Sequence, residues 1–320
     1  MKKVFITGIS GLLGTNLAAE LLDQNYSIKA IVRNASKYIG KITSNLELIQ
    51  MDLSGDFRDH LKETDIVIHI AAETSTNLIR YADYEKINYE ATVRLFEIAK
   101  EQRVKQFIFI STANTIGYGS LNHLGTETVK MKKPFSKLHY AKSKLAAEKY
   151  LLKNQQGIDV KVLNPTFMIG PFDSKPSSGK IILMSLNKKL VFYPPGGKNF
   201  VPVKDVVSAI LNSFEHGKSG EKYLISGNNL SYKEFFGKLK EITDEKQLLI
   251  PIPMPVLMTI GVFGNLMRQL NVKTSLSSSN MKALCVKNYY SNQKSIHELK
   301  ITYSSLNFAI KEAVEYFQKT

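Results

Sequence analysis

The chain has 320 residues, 43% hydrophobic and 22% charged, an ordinary globular composition with room for one large α/β domain or two lobes. Its one cysteine, Cys285, excludes an internal disulfide and suits a reducing cytoplasm, and the apolar run after Met1-Lys2-Lys3 is too short for a secretory leader. The net charge of +15 is spread thinly: Lys outnumbers Arg 37 to 6, with no basic block longer than Lys132-Lys133 or Lys188-Lys189, so a solvated surface that helps capture an anionic cofactor is expected and nucleic-acid binding is not.

Residues 3–7 read as a strand. Gly8, Gly11 and Gly14 follow at three-residue spacing, and Leu17, Ala18, Leu21 and Leu22 predict a helix over 12–24. Such a strand–glycine–helix turn builds a dinucleotide cradle: the glycines permit a tight turn and close approach to pyrophosphate, and the helix N-terminus supplies free N–H groups. Further strands are expected at 27–33, 46–50, 65–70, 106–111 and 159–163, and helices at 55–62, 84–101 and 139–154. That alternation gives an α/β, doubly wound parallel sheet of Rossmann type, with ligands beyond the carboxyl ends of the strands.

Past residue 165 the rhythm loosens. Gly170-Pro171, Pro176-Ser177-Ser178-Gly179 and Pro194-Pro195-Gly196-Gly197 are loop chemistry. A helix at 204–215 and a strand at 222–225 return to the sheet, and the remainder reads as short helices ending with 306–318. The expected division is 1–165 plus 203–225 for dinucleotide binding. Residues 166–202 plus 226–320 would form a smaller, discontinuous, mostly helical substrate lobe. Residues 248–267 carry no charge. Alternating Pro251, Pro253 and Pro255 argue against a membrane span and for a loop leading into a helix over 256–269. Peripheral membrane contact or an apolar substrate would suit that surface.

Tyr140 and Lys144 stand at i and i+4, on one face of the 139–154 helix. A phenol titrates near 10, and a nearby ammonium together with an oxidised nicotinamide would favour tyrosinate. The spacing alone decides nothing, because random placement of these Tyr and Lys gives about two such pairs and the chain has two, the other being Tyr290/Lys294. Context separates them. Tyr290 runs into Ser291-Asn292-Gln293, whereas Tyr140 opens a strong helix soon after a strand ending in Ser111 and Thr112. A hydroxyl beyond a strand's carboxyl end can polarise a substrate carbonyl. Proton donor, electrostatic partner and carbonyl orienter are then all present.

These pieces, in this order, resemble an extended short-chain dehydrogenase/reductase of the NAD-dependent epimerase/dehydratase superfamily. The matching segments are Thr7-Gly8-x-x-Gly11-x-x-Gly14, Met51-Asp52-Leu53, His69-Ile70-Ala71-Ala72, Asn88, Ser111-Thr112, Tyr140-x-x-x-Lys144, Asn164-Pro165-Thr166 with Gly170-Pro171, and Val203-Lys204-Asp205-Val206. Gly170 to Gly179 further resembles the dihydroflavonol-4-reductase-like branch. The resemblance implies Tyr140 as general acid/base, Lys144 as its pKa partner and a ribose contact, and Thr112 as the catalytic hydroxyl with Ser111 beside it. It implies cofactor contacts from Gly8, Ser10, Gly11, Leu12, Leu13 and Gly14 at the phosphates and from Asp52 and Leu53 at the adenine. Ala71 and Ala72 would line the cofactor's path, and Pro165, Thr166 and Phe167 would approach the nicotinamide. Asn88 would hold helix geometry or a relay water. Asn164 departs from the Arg often found before that proline.

The second strand ends Ala30-Ile31-Val32-Arg33-Asn34 without an acid, and Arg33 with Lys37 would clamp a 2′-phosphate, pointing to NADP over NAD. The plainer role for Arg33 is stacking on adenine. His139 reads as surface or pocket wall, and Asp205 as a structural carboxylate at a helix N-terminus. No cluster has metal-ligand spacing, so no metal is expected. The expected activity is NADP(H)-dependent reduction of an apolar ketone or aldehyde by a cytoplasmic monomer or homodimer. Specificity is expected from the second lobe and from Thr74, Asn114, Thr115, Phe167, Phe192 and Tyr193. The alternatives are a sugar-nucleotide epimerase/dehydratase with tightly bound NAD, and a nonenzymatic NADP-binding regulatory protein.

Overall fold

In the computed structural model, which describes residues 1–319, strand β1 (Lys3–Thr7) is buried at every position after Lys3. A strand without polar alternation needs cover on both faces. The chain supplies it with α1 (Leu12–Asp23), β2 (Ser27–Val32), β3 (Leu46–Gln50), α2 (Arg58–Leu61), β4 (Ile66–His69), α3 (Tyr81–Glu85), α4 (Ala91–Glu101), β5 (Gln106–Ile110), α5 (His139–Lys153) and β6 (Asp159–Pro165). Beyond β6 come β7 (Phe167–Ile169), α6 (Lys180–Leu183), β8 (Leu190–Tyr193), β9 (Gly197–Pro202), α7 (Val203–His216) and β10 (Glu221–Ile225).

Seven strands form one parallel sheet in the order β10-β6-β5-β4-β1-β2-β3. Ile6 of β1 lies between Ala30 of β2 and Ile68 of β4. The strand order therefore reverses at β1, which opens a crevice between the loops after β1 and β4. Alternate residues feed two cores. Ile6, Ile68 and Ile108 pack with Leu17, Leu21 and Ile210 of α1 and α7. Phe5, Val67 and Phe107 pack with Phe96, Ala147 and Leu151 of α4 and α5. Each such buried side chain contributes about 1.5–3 kcal/mol relative to exposure.

Two helices differ from expectation. The one expected over 55–62 shrinks to α2, because Asp52 and Asp56 accept from the Ser54 and Arg58 N–H groups and hold turns instead. The one expected over 84–101 starts at Tyr81 and is interrupted at residues 86–90 by a π segment.

The remaining elements are β11 (Asn228–Ser231), α8 (Tyr232–Thr243), β12 (Leu248–Pro251), α9 (Met254–Gln269), α10 (Ser278–Cys285), β13 (Lys287–Asn288), α11 (Gln293–Leu299) and α12 (Leu306–Lys319). The expectation of short helices alone after residue 226 is corrected here. β9 pairs with β7, β11 and β13, and β8 pairs with β12, forming two small sheets beside the helices. They wrap a third core in which Phe200 stacks on Phe235 at 4.2 Å, over Ile169, Tyr232 and Ile310. Among the described residues, no helix is long and apolar enough to cross a membrane.

Candidate active site

The glycine turn after β1 is shaped by contacts that a side chain would destroy. Gly8 has φ +81°, and a Cβ there would lie 2.7 Å from the Ala71 nitrogen, so the loops after β1 and β4 touch. A Cβ on Gly14 would lie 2.2 Å from the Gly8 oxygen, so α1 presses directly on the turn. Gly11 differs: its Cβ would meet only the Gly8 oxygen, at 3.6 Å, and would otherwise face open space. Gly11 also caps α1 without a side-chain hydrogen bond. The N–H groups of the first turn, Leu12 to Gly14, are thus left for a ligand at the positive end of the helix dipole. Ser10 is partly exposed beside them. This cradle fits the pyrophosphate of a dinucleotide.

Arg33 and Lys37 are both exposed just past β2, and between them Asn34 caps the Ser36 N–H. Asp52 is exposed after β3. Hydrogen bonds from Ser54 hold its carboxyl below the usual range, and the charges of Arg33 and Lys86 add to the effect. Leu53 packs partly on the second core. Ala71 and Ala72 are partly exposed along the crevice.

A hydrogen-bonded chain fixes the loop after β4. Thr92 donates to the Asn88 carbonyl, so its oxygen accepts from His69 Nε2 at 2.8 Å. His69 Nδ1 then accepts from the Thr7 hydroxyl at 2.6 Å, and Thr7 accepts from the Ala71 N–H. His69 is fully buried, and burial pulls it down to about 3, so it stays neutral. The Asn88 side chain accepts from Glu73 N and donates to Glu73 O and to Ser143 Oγ, tying this loop to α5.

The candidate catalytic side chains Thr112, Tyr140 and Lys144 gather beyond β5. Thr112 caps a short turn, accepting from Asn114 N. Tyr140 is the second residue of α5, and its phenol lies close enough to the Thr112 hydroxyl to feel it. Lys144 is fully buried one turn on; its Nζ donates to the Ile110 carbonyl at 2.7 Å and lies 4.0 Å above the Phe109 ring. Burial pulls Lys144 down to about 7, against the opposing pull of Glu148. The expectation that an ammonium lowers the Tyr140 phenol is corrected for the chain's own groups. Burial pushes the phenol up to about 12, with Thr112 acting in the lowering direction and Glu148 in the raising one. The Tyr140 phenol is therefore protonated at neutral pH.

Glu148 was not singled out in the sequence. It continues the Tyr140/Lys144 ladder by one more turn and is buried, and a carboxylate on the inward face of a helix was the available signal. It accepts from Ser111 Oγ, from Thr115 Oγ1 at 2.6 Å and from Asn164 Nδ2 at 2.7 Å. Lys222 Nζ of β10 lies 3.7 Å from its other oxygen. The Ser111 and Thr115 hydroxyls are thus turned onto Glu148, and Thr112 remains as the hydroxyl beside Tyr140. Asn164, where an Arg is often found, supplies the hydrogen bond while Lys222 supplies the charge.

On the far side, Pro165 ends β6, Thr166 donates to Asn199 Oδ1 at 2.6 Å, and Phe167 packs edge-on against Phe200. Lys198 of β9 was also missed, one Lys among many. Its Nζ lies 4.5 Å above the Phe167 ring, burial pulls it down to about 8, and among the described residues no carboxylate pairs with it. His139 is half-buried against Tyr81 and Tyr84. Asp205, in the first turn of α7, accepts from Ser304 N and Oγ, a structural tie. Phe192 and Tyr193 lie on β8, with Phe192 exposed.

A family model described as "NAD dependent epimerase/dehydratase family" matches residues 4–226. The "Putative dihydroflavonol 4-reductase" of Synechocystis sp. is 29% identical over 98% of this chain and 94% of its own length. The human dTDP-D-glucose 4,6-dehydratase is 31% identical over 77% of each. The crystal structure of gox2253 superposes with a TM-score of 0.83 at 25% identity, covering 100% of this chain and 98% of that one.

Proposed function

Because the chain belongs to the NAD dependent epimerase/dehydratase family, we propose that it is an NADP(H)-dependent reductase converting a ketone or aldehyde to an alcohol. The observation that carries this reading is the convergence of Thr112, Tyr140 and Lys144 at the carboxyl end of β5, beside the Gly8–Gly14 cradle. The relative named as a reductase aligns over nearly the whole chain, including the region past residue 226. When bound, the dinucleotide supplies the hydride. The first turn of α1 holds its pyrophosphate, Arg33 and Lys37 take the 2′-phosphate, and Asp52 and Leu53 meet the adenine. Lys144 reaches the ribose, and Ala71, Ala72, Pro165, Thr166 and Phe167 border the nicotinamide end.

Tyr140 donates its proton to the carbonyl oxygen as charge develops there, and Thr112 donates a hydrogen bond to the same oxygen. Lys144, held on the Ile110 carbonyl one turn along α5, positions the ribose beside Tyr140. Glu148, Asn164 and Lys222 hold the Ser111–Thr115 turn and so orient Thr112. Residues 166–202 and 226–320 are the proposed substrate lobe, and the cytoplasm the proposed compartment.

The test is cofactor consumption across a panel of aldehydes and ketones. Substrate-dependent oxidation of NADPH, faster than of NADH, is expected. Copurifying NAD with no net consumption would instead select a sugar-nucleotide epimerase or dehydratase. One observation favours that second reading: Lys198, a half-buried cation over the Phe167 ring with no carboxylate paired to it among the described residues, suits an anionic substrate group. A nonenzymatic role has no such support, since the hydroxyl, phenol and ammonium are all in place.

A further inference from the structure

Helix α9 is built inside out. Its buried positions are Leu257, Gly261 and Gly264. A Cβ on Gly264 would fall 1.3 Å from the Leu276 oxygen and one on Gly261 2.8 Å from Ser278 Cα, so the glycines let the following segment and α10 press onto the helix backbone. The bulky residues face outward instead. Val262, Phe263, Leu266 and Leu270 are exposed, Phe263 at 67% and Leu270 at 78%, and Val272 and Leu276 extend the patch. A helix on a globular surface ordinarily turns its apolar stripe to the core, and a contiguous apolar patch marks an interaction site.

The charge around this patch has one sign. From Lys246 to His297 the chain contains no Asp or Glu, while it carries Lys246, Arg268, Lys273, Lys282, Lys287 and Lys294. Lys273 and Lys282 are exposed beside the patch. Asp83, whose carboxylate feels Lys273, is already paired to Arg80 at 2.8 Å.

We propose that α9 and the segment through Leu276 form a docking surface for an anionic lipid bilayer. Phe263, Leu266 and Leu270 sink into the acyl boundary, and Lys273 and Lys282 meet lipid phosphates. The helix lies in the interface and does not cross it: its 16 residues span about 24 Å, short of the roughly 30 Å hydrocarbon core. A twofold contact with a second copy would set this net-basic surface against itself and bring like charges together. The surface also adjoins the crevice, since Arg268 Nη2 and Asn280 Nδ2 both donate to the Thr76 carbonyl, in the loop that continues from Ala71 and Ala72. Delivery of an apolar carbonyl compound from the bilayer follows only if the reductase reading holds; the lipid binding stands without it.

The test is flotation of the full chain with vesicles of equal parts phosphatidylcholine and phosphatidylglycerol, beside vesicles of phosphatidylcholine alone. Wild type is expected to float with the anionic vesicles and weakly or not at all with the neutral ones. The double variant Phe263→Glu/Leu270→Glu should lose at least about tenfold in vesicle affinity while its cofactor affinity, measured in the same preparation, is unchanged. If that variant fails to fold, Lys273→Gln/Lys282→Gln keeps the apolar patch and should still weaken anionic-vesicle binding. Wild type remaining at the bottom of the gradient overturns the proposal, and so does glutamate-variant flotation equal to wild type. A wild-type dimer that the glutamate variant dissolves, with vesicles ignored, overturns it in favour of a second copy. NADPH turnover, read separately, reports on the reductase reading alone.

Discussion

Substituting alanine at Gly14 and at Gly11 separates the two jobs of the glycine turn. At Gly14 the added methyl would sit 2.2 Å from the Gly8 oxygen, 2.6 Å from Ile9 Cα and 2.8 Å from the Ile9 carbonyl carbon. All three neighbours are backbone, so α1 must move off β1. Overpacking of this kind costs about 3 kcal/mol, offset by about 1 kcal/mol of helix propensity, for a net loss of about 2 kcal/mol. At Gly11 the backbone is already extended, at φ −96°, and the methyl would meet one atom at 3.6 Å. Folding stability should change by less than about 0.5 kcal/mol. The methyl would, however, occupy the space in front of the α1 N–H groups, so cofactor affinity should fall at least about tenfold. Urea unfolding gives the stabilities and fluorescence titration with NADPH gives the affinities. A Gly11→Ala protein that binds cofactor like wild type, or a Gly14→Ala protein as stable as wild type, would refute the geometry.

Three further outcomes follow. Asn164→Ala removes bonds to Glu148, to the Thr112 carbonyl and to Thr115; it should cost about 2 kcal/mol in thermal unfolding and lower turnover by loosening Thr112. His69 is held at about 3 when folded against about 6.5 unfolded. Below pH 6.5 the unfolded chain therefore binds the extra proton, and stability falls by about 1.4 kcal/mol per pH unit down to the folded value; urea unfolding at pH 7 and pH 5.5 should show this contribution, and His69→Gln should remove it. Lys198→Met should leave reduction of a neutral ketone unchanged in kcat/KM, whereas a sugar-nucleotide enzyme would lose at least about tenfold in substrate affinity.

The cradle was legible because its constraints are local: Gly8 and Gly14 each answer a backbone requirement within a few residues or at the facing loop, and Gly11 leaves open the space before α1. The central strands were legible because continuous apolar runs such as Val4 to Ile6 and Phe107 to Ile110 need burial on both faces. The small sheets were not. β8 and β12 meet across more than fifty residues of chain, and Pro251 fits only because it closes a short strand. Glu148 and Lys198 were hidden for a different reason. Their types are common on surfaces, and only the folded chain shows that Glu148 is sealed among Ser111, Thr115 and Asn164. The Tyr140 phenol was misjudged on the same ground, since spacing reveals a neighbouring ammonium and burial does not show in a sequence.

The most direct test of the central claim is Tyr140→Phe, assayed with NADPH and whichever carbonyl compound turns over. kcat/KM should fall by about 10²–10⁴, with NADPH affinity within about twofold of wild type. Turnover equal to wild type would contradict a phenol proton donor at residue 140.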